Sequence, residues 1–381
     1  MPDKGKLLTN RMYPLMHLRK RAERLHWPFE VVSSTMATVQ KVKSVHSTIS
    51  CPWYQSELTI FQCSTSPIIT TTTRMHFAHV KAWGESPKYL EGDTPAYPAP
   101  ESGYTQIKVH GAALHSLVRL RISGKHYSAQ TLPHMPGVDG VGRTSDGKDV
   151  YFFVFFLNCG SFAEIINIPK ENVFPLPVGL DKLQVAAFVN PLMSSWMALR
   201  RRTSVLPPQF SVLILGATSL SGQLAIPIAK ALGAGRVIGC SRSIEKVSNL
   251  DLDQFVCLED LVTETDFSLL GEVDIILDYM YGEPAAHLLA SLRSTRLVQY
   301  IQIGDLASRE TILPSHVIRG KNLTMAGSGL GSFSMEELRA ELPDMLVAMK
   351  ELKPRELNII PLSQVESRWN EVDSGRVVFV P

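Results

Sequence analysis

"SVLILGATSLSGQLAIPIAKALGAGRVIGCSRS", residues 211–243, decides the fold. An apolar run, Val212–Leu215, stops at Gly216, and a loop of small residues follows, Ala217-Thr218-Ser219-Leu220-Ser221-Gly222. A helical pattern then climbs to Gly233, and a second short apolar strand, Val237–Cys240, stops at Ser241-Arg242. Strand, turn, helix and strand at this spacing open a nucleotide-binding unit, in which the helix N-terminus offers donors to a pyrophosphate. Glycine is favoured in such a turn because it tolerates unusual dihedrals and lets the ligand approach the backbone. Here Ala217 and Ser219 stand where glycine is usual, and Gly222 keeps the third position, which serves close helix–sheet packing. Small residues suffice if the loop stands slightly further from the phosphates, and the hydroxyls of Thr218, Ser219 and Ser221 can donate to them. Taken alone, the loop reads equally well as an ordinary strand–turn–helix. Pro227 is an oddity, since a proline beyond the first turn removes a helix hydrogen bond.

The end of the second strand tips the balance. A site specific for NAD places an acidic residue there to bind the ribose 2′-hydroxyl. This chain has Ser241-Arg242 instead, and a guanidinium beside a hydroxyl suits a 2′-phosphate that a carboxylate would repel. The expected cofactor is therefore NADPH.

Outward from this unit, strand patterns recur at Phe255–Leu258, Val273–Leu277, Leu297–Ile301 and Leu323–Ala326, with helical stretches between them. Such alternation predicts a doubly wound parallel sheet, so the chain is α/β. Residues 175–202 are helical in period. On the N-terminal side, "HFAHVKAW", "GYTQIKVHGAAL", "KDVYFFVFF" and "GSFAEIINIP" read as strands of an all-β region of about a hundred residues. The run Val150–Leu157 (VYFFVFFL) is far short of the roughly 20 residues that span a bilayer and reads as a buried strand. A helix near Met335–Lys350 and a closing strand in "RVVFVP" leave the alternation.

A chain of 381 residues, 45% hydrophobic, 19% charged and of net charge +2, is a globular protein with more than one domain and no call for nucleic acid. The five cysteines, Cys51, Cys63, Cys159, Cys240 and Cys257, are scattered, which fits a reducing compartment and offers no metal-ligand spacing. Residues 1–74 differ from the rest. Ten basic residues against four acidic ones give them +6, and they are rich in Ser and Thr with weak periodicity. Two readings stand, a disordered or non-native extension and an organelle transit peptide. The first leaves the protein in the cytoplasm; the second sends it to the mitochondrion.

From about 75 to 381 the chain resembles the medium-chain dehydrogenase/reductase superfamily. The resemblance rests on "MPGVDGVGR" (135–143), "GSFAE" (160–164), "PLPVGL" (175–180), "LGATSLSG" (215–222), "ILDYMYG" (276–282) and "GSGLGS" (327–332). "NPLMSSWMALR" and "SGRVVFVP" are similar, more narrowly, to the zinc-free quinone oxidoreductase-like reductases common in fungi. The resemblance implies a GroES-like catalytic domain (75–186), a Rossmann cofactor domain (187–328) and a C-terminal segment returning to the catalytic domain (329–381). It also implies that the substrate, a quinone or α,β-unsaturated carbonyl, lies between the domains, and that the protein forms a homodimer.

Zinc-dependent relatives use a Cys, a His and a second Cys. At the matching places this chain has His115, Val138 and the Asn190-Pro191 pair, so no catalytic metal is expected. His115 then belongs in a polar pocket or core, with Asp139 bonded to nearby backbone or an arginine. By resemblance Tyr127 lines the substrate cleft, where it can stabilise charge on a substrate oxygen. Asn190, Ile303, Gly304, Gly327, Ser328 and Gly329 fall where related proteins meet the nicotinamide and phosphates. Gly216, Ala217, Thr218, Ser219, Leu220, Gly222, Ser241 and Arg242 complete the expected cofactor site. Asp278-Tyr279 is either functional or caps its turn. Two alternatives remain open, a trans-acting enoyl reductase of a polyketide-type pathway and a non-catalytic NADPH-binding protein.

Overall fold

The computed structural model describes residues 73–129, 131–371 and 375–381. All of the basic N-terminal extension except Thr73 and Arg74 lies outside them.

Strands β1 (Arg74–His79) and β2 (Lys88–Asp93) form an antiparallel pair. Then come β3 (Tyr104–Ala113), helix α1 (Ser116–Ile122), β4 (Asp139–Thr144), β5 (Asp149–Phe153), β6 (Ile165–Pro169) and β7 (Val173–Pro175). The long helix α2 (Lys182–Arg201), capped by the Asp181 carboxylate, follows. It runs through the 186/187 boundary expected between the domains. Next are β8 (Ser211–Leu215), α3 (Leu220–Ala231), β9 (Arg236–Ser241), α4 (Ile244–Val247), β10 (Gln254–Cys257), β11 (Ile275–Asp278) and α5 (Gly282–Ser291). The chain then forms β12 (Val298–Gln302), α6 (Ser315–Arg319), β13 (Leu323–Gly327), α7 (Met335–Ala348), β14 (Leu357–Pro361), α8 (Val365–Arg368) and β15 (Arg376–Val380).

The six strands from β8 to β13 make one parallel sheet in the order β10-β9-β8-β11-β12-β13. That is the doubly wound order of dinucleotide-binding sheets, with its switch point between β8 and β11. All six strand patterns anticipated from the sequence are present. The second sheet runs β14-β15-β3-β4-β5-β7, with β6 paired to β3, so the last strand of the chain closes against β3.

The apolar run at Val150–Leu157 is only half strand, which corrects the reading of it as one. β5 ends at Phe153, the Val154 N–H turns to the Val138 carbonyl, and Phe156 takes φ 59° at the surface. The strand itself is apolar throughout because both its faces are covered. Tyr151 and Phe153 face the main core, and Val150 and Phe152 face a smaller cluster with Ile107, Ile166 and Ile168. α1 and β2 were not foreseen. α1 is two turns long, and β2 (KYLEGD) is polar with a single strand partner.

α2 joins the two halves of the core. On one side Val185, Phe188 and Leu192 enter the cluster with Val378 and Phe379; on the other, Trp196 and Leu199 meet α7. A buried carboxylate fixes that second contact. Glu341 of α7 accepts from Trp196 Nε1 at 2.8 Å and from Arg200 Nε at 3.0 Å, and pairs as an ion with Arg201, Nε to Oε1 2.8 Å. Burial works against its charge, but these donors hold its pKa below the usual value. Glu341→Ala would leave the indole N–H without its acceptor and should cost about 2–3 kcal/mol, the arginines being part-exposed. A fall in the urea midpoint checks this.

Candidate active site

The C-terminal rim of the parallel sheet gathers most of the residues singled out above. At the end of β8 Gly216 takes φ 94°, a conformation that favours glycine, and its N–H bonds the Cys240 carbonyl at 2.8 Å. A Cβ at Gly222 would stand 2.3 Å from the Gly216 carbonyl oxygen and 2.9 Å from Ala217 Cα. Glycine there lets α3 start directly against β8. Ser219 is the helix cap. Its hydroxyl donates to the Gly216 carbonyl at 2.8 Å and accepts from the Gly222 N–H at 3.1 Å. Both bonds commit that hydroxyl to the turn. The first-turn N–H groups of Leu220 and Ser221, which have no intrahelical partners, supply the positive end of α3 beside Thr218.

At the end of β9, Ser241 is 5% exposed and its Oγ is buried without a hydrogen-bond partner. Arg242 follows it at the surface. An orphaned hydroxyl next to an exposed guanidinium is a fitting pair for a phosphate. The rim continues at β11. Asp278 caps its own turn, Oδ1 accepting from the Met280 N–H at 2.7 Å and the Tyr281 N–H at 2.9 Å, while Oδ2 accepts from the Tyr300 hydroxyl. Gly304 packs so closely that a Cβ would lie 2.8 Å from the Tyr279 carbonyl oxygen, and the Ile303 N–H bonds the Asp278 carbonyl. At the end of β13, the Gly327 carbonyl accepts from Arg202 Nε, the Ser328 N–H bonds the Gln302 carbonyl, and Ser328 Oγ is a second buried hydroxyl without a partner. The Gly329 N–H bonds Ser332 Oγ. Asn190 is half-buried on α2, one turn before Ser194, whose hydroxyl is 3.3 Å from that of Tyr279.

Tyr127 reaches this rim from the turn that follows α1. Its hydroxyl donates to the Leu330 carbonyl, its ring packs on His126 with centroids 4.1 Å apart, and it is 65% exposed.

His115 and Asp139 lie together in the core. His115 Nε2 is 2.8 Å from Asp139 Oδ1, and the Tyr151 hydroxyl donates to Asp139 Oδ2 at 2.8 Å. The expectation that Asp139 would bond backbone or an arginine is corrected: its partners are an imidazole and a phenol. An arginine is reached one step on, because Arg376 Nη2 bonds His115 Nδ1. A guanidinium only donates, so Nδ1 accepts and Nε2 carries the proton given to Asp139. Sequence reasoning missed Tyr151 and Arg376, although Arg376 stands in the quoted "SGRVVFVP". Among the described residues, no three His, Cys, Asp or Glu side chains gather into a metal-binding set.

No protein-family model matches the chain. The protein described as "probable NADPH-dependent quinone reductase tdiC" from Emericella nidulans is 34% identical over 359 residues, which cover 81% of this chain and 100% of that one. The chain belongs to the quinone oxidoreductase family. Quinone oxidoreductase of Rattus norvegicus is 31% identical over 156 residues, 39% of this chain and 47% of the rat protein. Among solved structures, the quinone oxidoreductase of Pseudomonas syringae pv. Tomato DC3000 shares the fold with a TM-score of 0.66 at 18% identity, covering 81% of this chain and 100% of that one. The family's two-part architecture, a GroES-like sheet and a Rossmann sheet, is the one described above.

Within this family member, burial pushes the Asp139 carboxyl up to about 8, against the lowering effect of the Tyr151 bond. A carboxyl whose folded pKa exceeds its unfolded one contributes stability below pH 4 that is lost as pH rises through 8. Burial and the Arg121 charge lower His134 to about 4, which gives the opposite slope but only up to about pH 6.5. Between pH 6.5 and 8, unfolding free energy should therefore fall by up to about 1.4 kcal/mol per unit, and Asp139→Asn should flatten that slope. Urea melts across this window check it.

Proposed function

We propose that the protein is an NADPH-dependent reductase of quinones or α,β-unsaturated carbonyls that works without zinc. The observation that carries this reading is the buried, unpartnered hydroxyl of Ser241 beside the exposed Arg242, at the strand end where an NAD site would hold a carboxylate. Leu220 and Ser221 N–H groups would hold the pyrophosphate, Ser241 and Arg242 the 2′-phosphate, and Ile303, Gly304, Ser328 and Asn190 would border the nicotinamide. NADPH supplies a hydride, and with one proton from solvent a quinone becomes a hydroquinone. Released from Leu330, the Tyr127 hydroxyl would donate to the substrate oxygen that gains charge. The division at 75–186, 187–328 and 329–381, a homodimer and a cytoplasmic or mitochondrial location belong to the same reading.

His115 has both ring nitrogens engaged, by Asp139 and by Arg376, Val138 and Pro191 offer no side-chain ligand atom, and Asn190 offers only a weak amide oxygen. Metal analysis of purified protein should find well under one zinc per chain, and chelators should leave turnover unchanged. Stoichiometric zinc lost together with activity would contradict the zinc-free reading.

Cofactor preference tests the rest. NADPH should bind more tightly than NADH, and Arg242→Ala should weaken NADPH by roughly ten- to a hundredfold with little effect on NADH, the worth of one charge-assisted phosphate contact. Equal dissociation constants for the two cofactors in the unmodified protein would refute it.

A further inference from the structure

Arg121, in the last turn of α1, is 3% exposed, and its Nε and Nη1 are buried without a hydrogen-bond acceptor. Around it stand groups that carry no compensating charge. Burial and the arginine itself lower the pKa of His126 and His134, so both are neutral near pH 7. Burial pushes the nearby Cys159 thiol up to about 11, so it too is neutral. Burial also lowers the pKa of Arg121, and no carboxylate contributes to raising it. The C-terminal carbonyls of α1 offer only a partial dipole charge. A buried guanidinium with nothing opposite is costly and, in a native protein, calls for an explanation.

Its position supplies one. The chain passes from Arg121 through Gly124 to His126 and Tyr127, and Tyr127 touches Leu330 at the rim of the cofactor sheet. The arginine is thus close enough for its charge to act on His126, whose ring packs on Tyr127. We infer that Arg121 is an anion-binding subsite for the substrate, and that the natural substrate is a quinone or enone bearing an acidic oxygen next to the reducible system. This rests on the reductase reading above. Such a substrate brings the negative charge that the site lacks, and Arg121 orients it with the acceptor carbons toward the nicotinamide. The arginine is sealed in the free protein, so the anion enters by displacing the turn that carries His126 and Tyr127.

The probes are 2-hydroxy-1,4-naphthoquinone, an anion near neutral pH, and neutral 1,4-naphthoquinone, titrated against the full chain by tryptophan quenching. The unmodified protein should bind the anion about ten- to a hundredfold more tightly than the neutral ring. Arg121→Met should abolish that difference and raise the melting temperature, because it removes an unpaired buried charge while keeping the volume. Arg121→Lys should retain part of the preference. Lack of preference in the unmodified protein, or an unchanged preference in Arg121→Met, would overturn the subsite. So would an Arg121→Met protein that melts lower or fails to fold, which would make the arginine a support of the fold. Reduction of 1,4-naphthoquinone by NADPH separates the two proposals. Turnover without anion preference sinks the subsite alone; arginine-dependent anion binding without quinone turnover sinks the reductase reading alone.

Discussion

The catalytic sheet depends on a buried chain of polar groups that begins with a proline. Pro191 lies inside α2 and has no N–H to give the carbonyl of Ala187, four residues back. Arg376 Nε takes that carbonyl instead, at 3.2 Å. The same guanidinium holds His115, His115 holds Asp139, and Asp139 holds Tyr151. One run of hydrogen bonds thus fastens the last strand, the central helix, the end of β3, and strands β4 and β5. Each link satisfies a group that would be expensive to bury alone. The closing strand is therefore a structural necessity of the sheet, because β15 pairs with β3 and its first residue completes the buried chain.

A different constraint governs the parallel sheet. The order β10-β9-β8-β11-β12-β13 opens a crevice beyond β8 and β11, where connections leave to opposite sides. The turn there keeps glycine at one of the three usual positions, Gly222, and has Gly216 just before them. Gly216 takes the positive φ, Gly222 allows the close approach of α3, and the cap at Ser219 closes the turn through its own hydroxyl. Ala217, between them, is fully buried.

What the sequence made legible is what depends on neighbours along the chain. The alternation of strand and helix from Val212 to Ala326 is local, and it predicted all six strands of the parallel sheet. Gly216, Ser219 and Gly222 could be assigned to one turn because they lie within it. The pairings that give the candidate site its character join distant residues. Arg376 and His115 are 261 positions apart, and Tyr127 and Leu330 are 203 apart. No pattern of spacing encodes such a meeting. The end of β5 was hidden for another reason: Val154 and Phe155 are as apolar and buried as the strand before them, so composition does not show where the backbone turns.

Asp139 and Arg121 show how burial can be read in two ways. Both are ionisable residues closed off from water, and both stand in the half of the molecule that holds the antiparallel strands. Asp139 has an imidazole and a phenol on its two oxygens, and the geometry around it is complete in the free protein. Its chemistry is spent on holding strands together. Arg121 has two nitrogens with no acceptor and only neutral side chains to shield it. A fold selected for stability alone would have no reason to keep that arginine, since an apolar side chain of like volume would remove the penalty. A satisfied polar cluster marks architecture, whereas an unsatisfied one marks a place where the architecture waits for something from outside. The cleft beside Tyr127 is where a substrate would bring it.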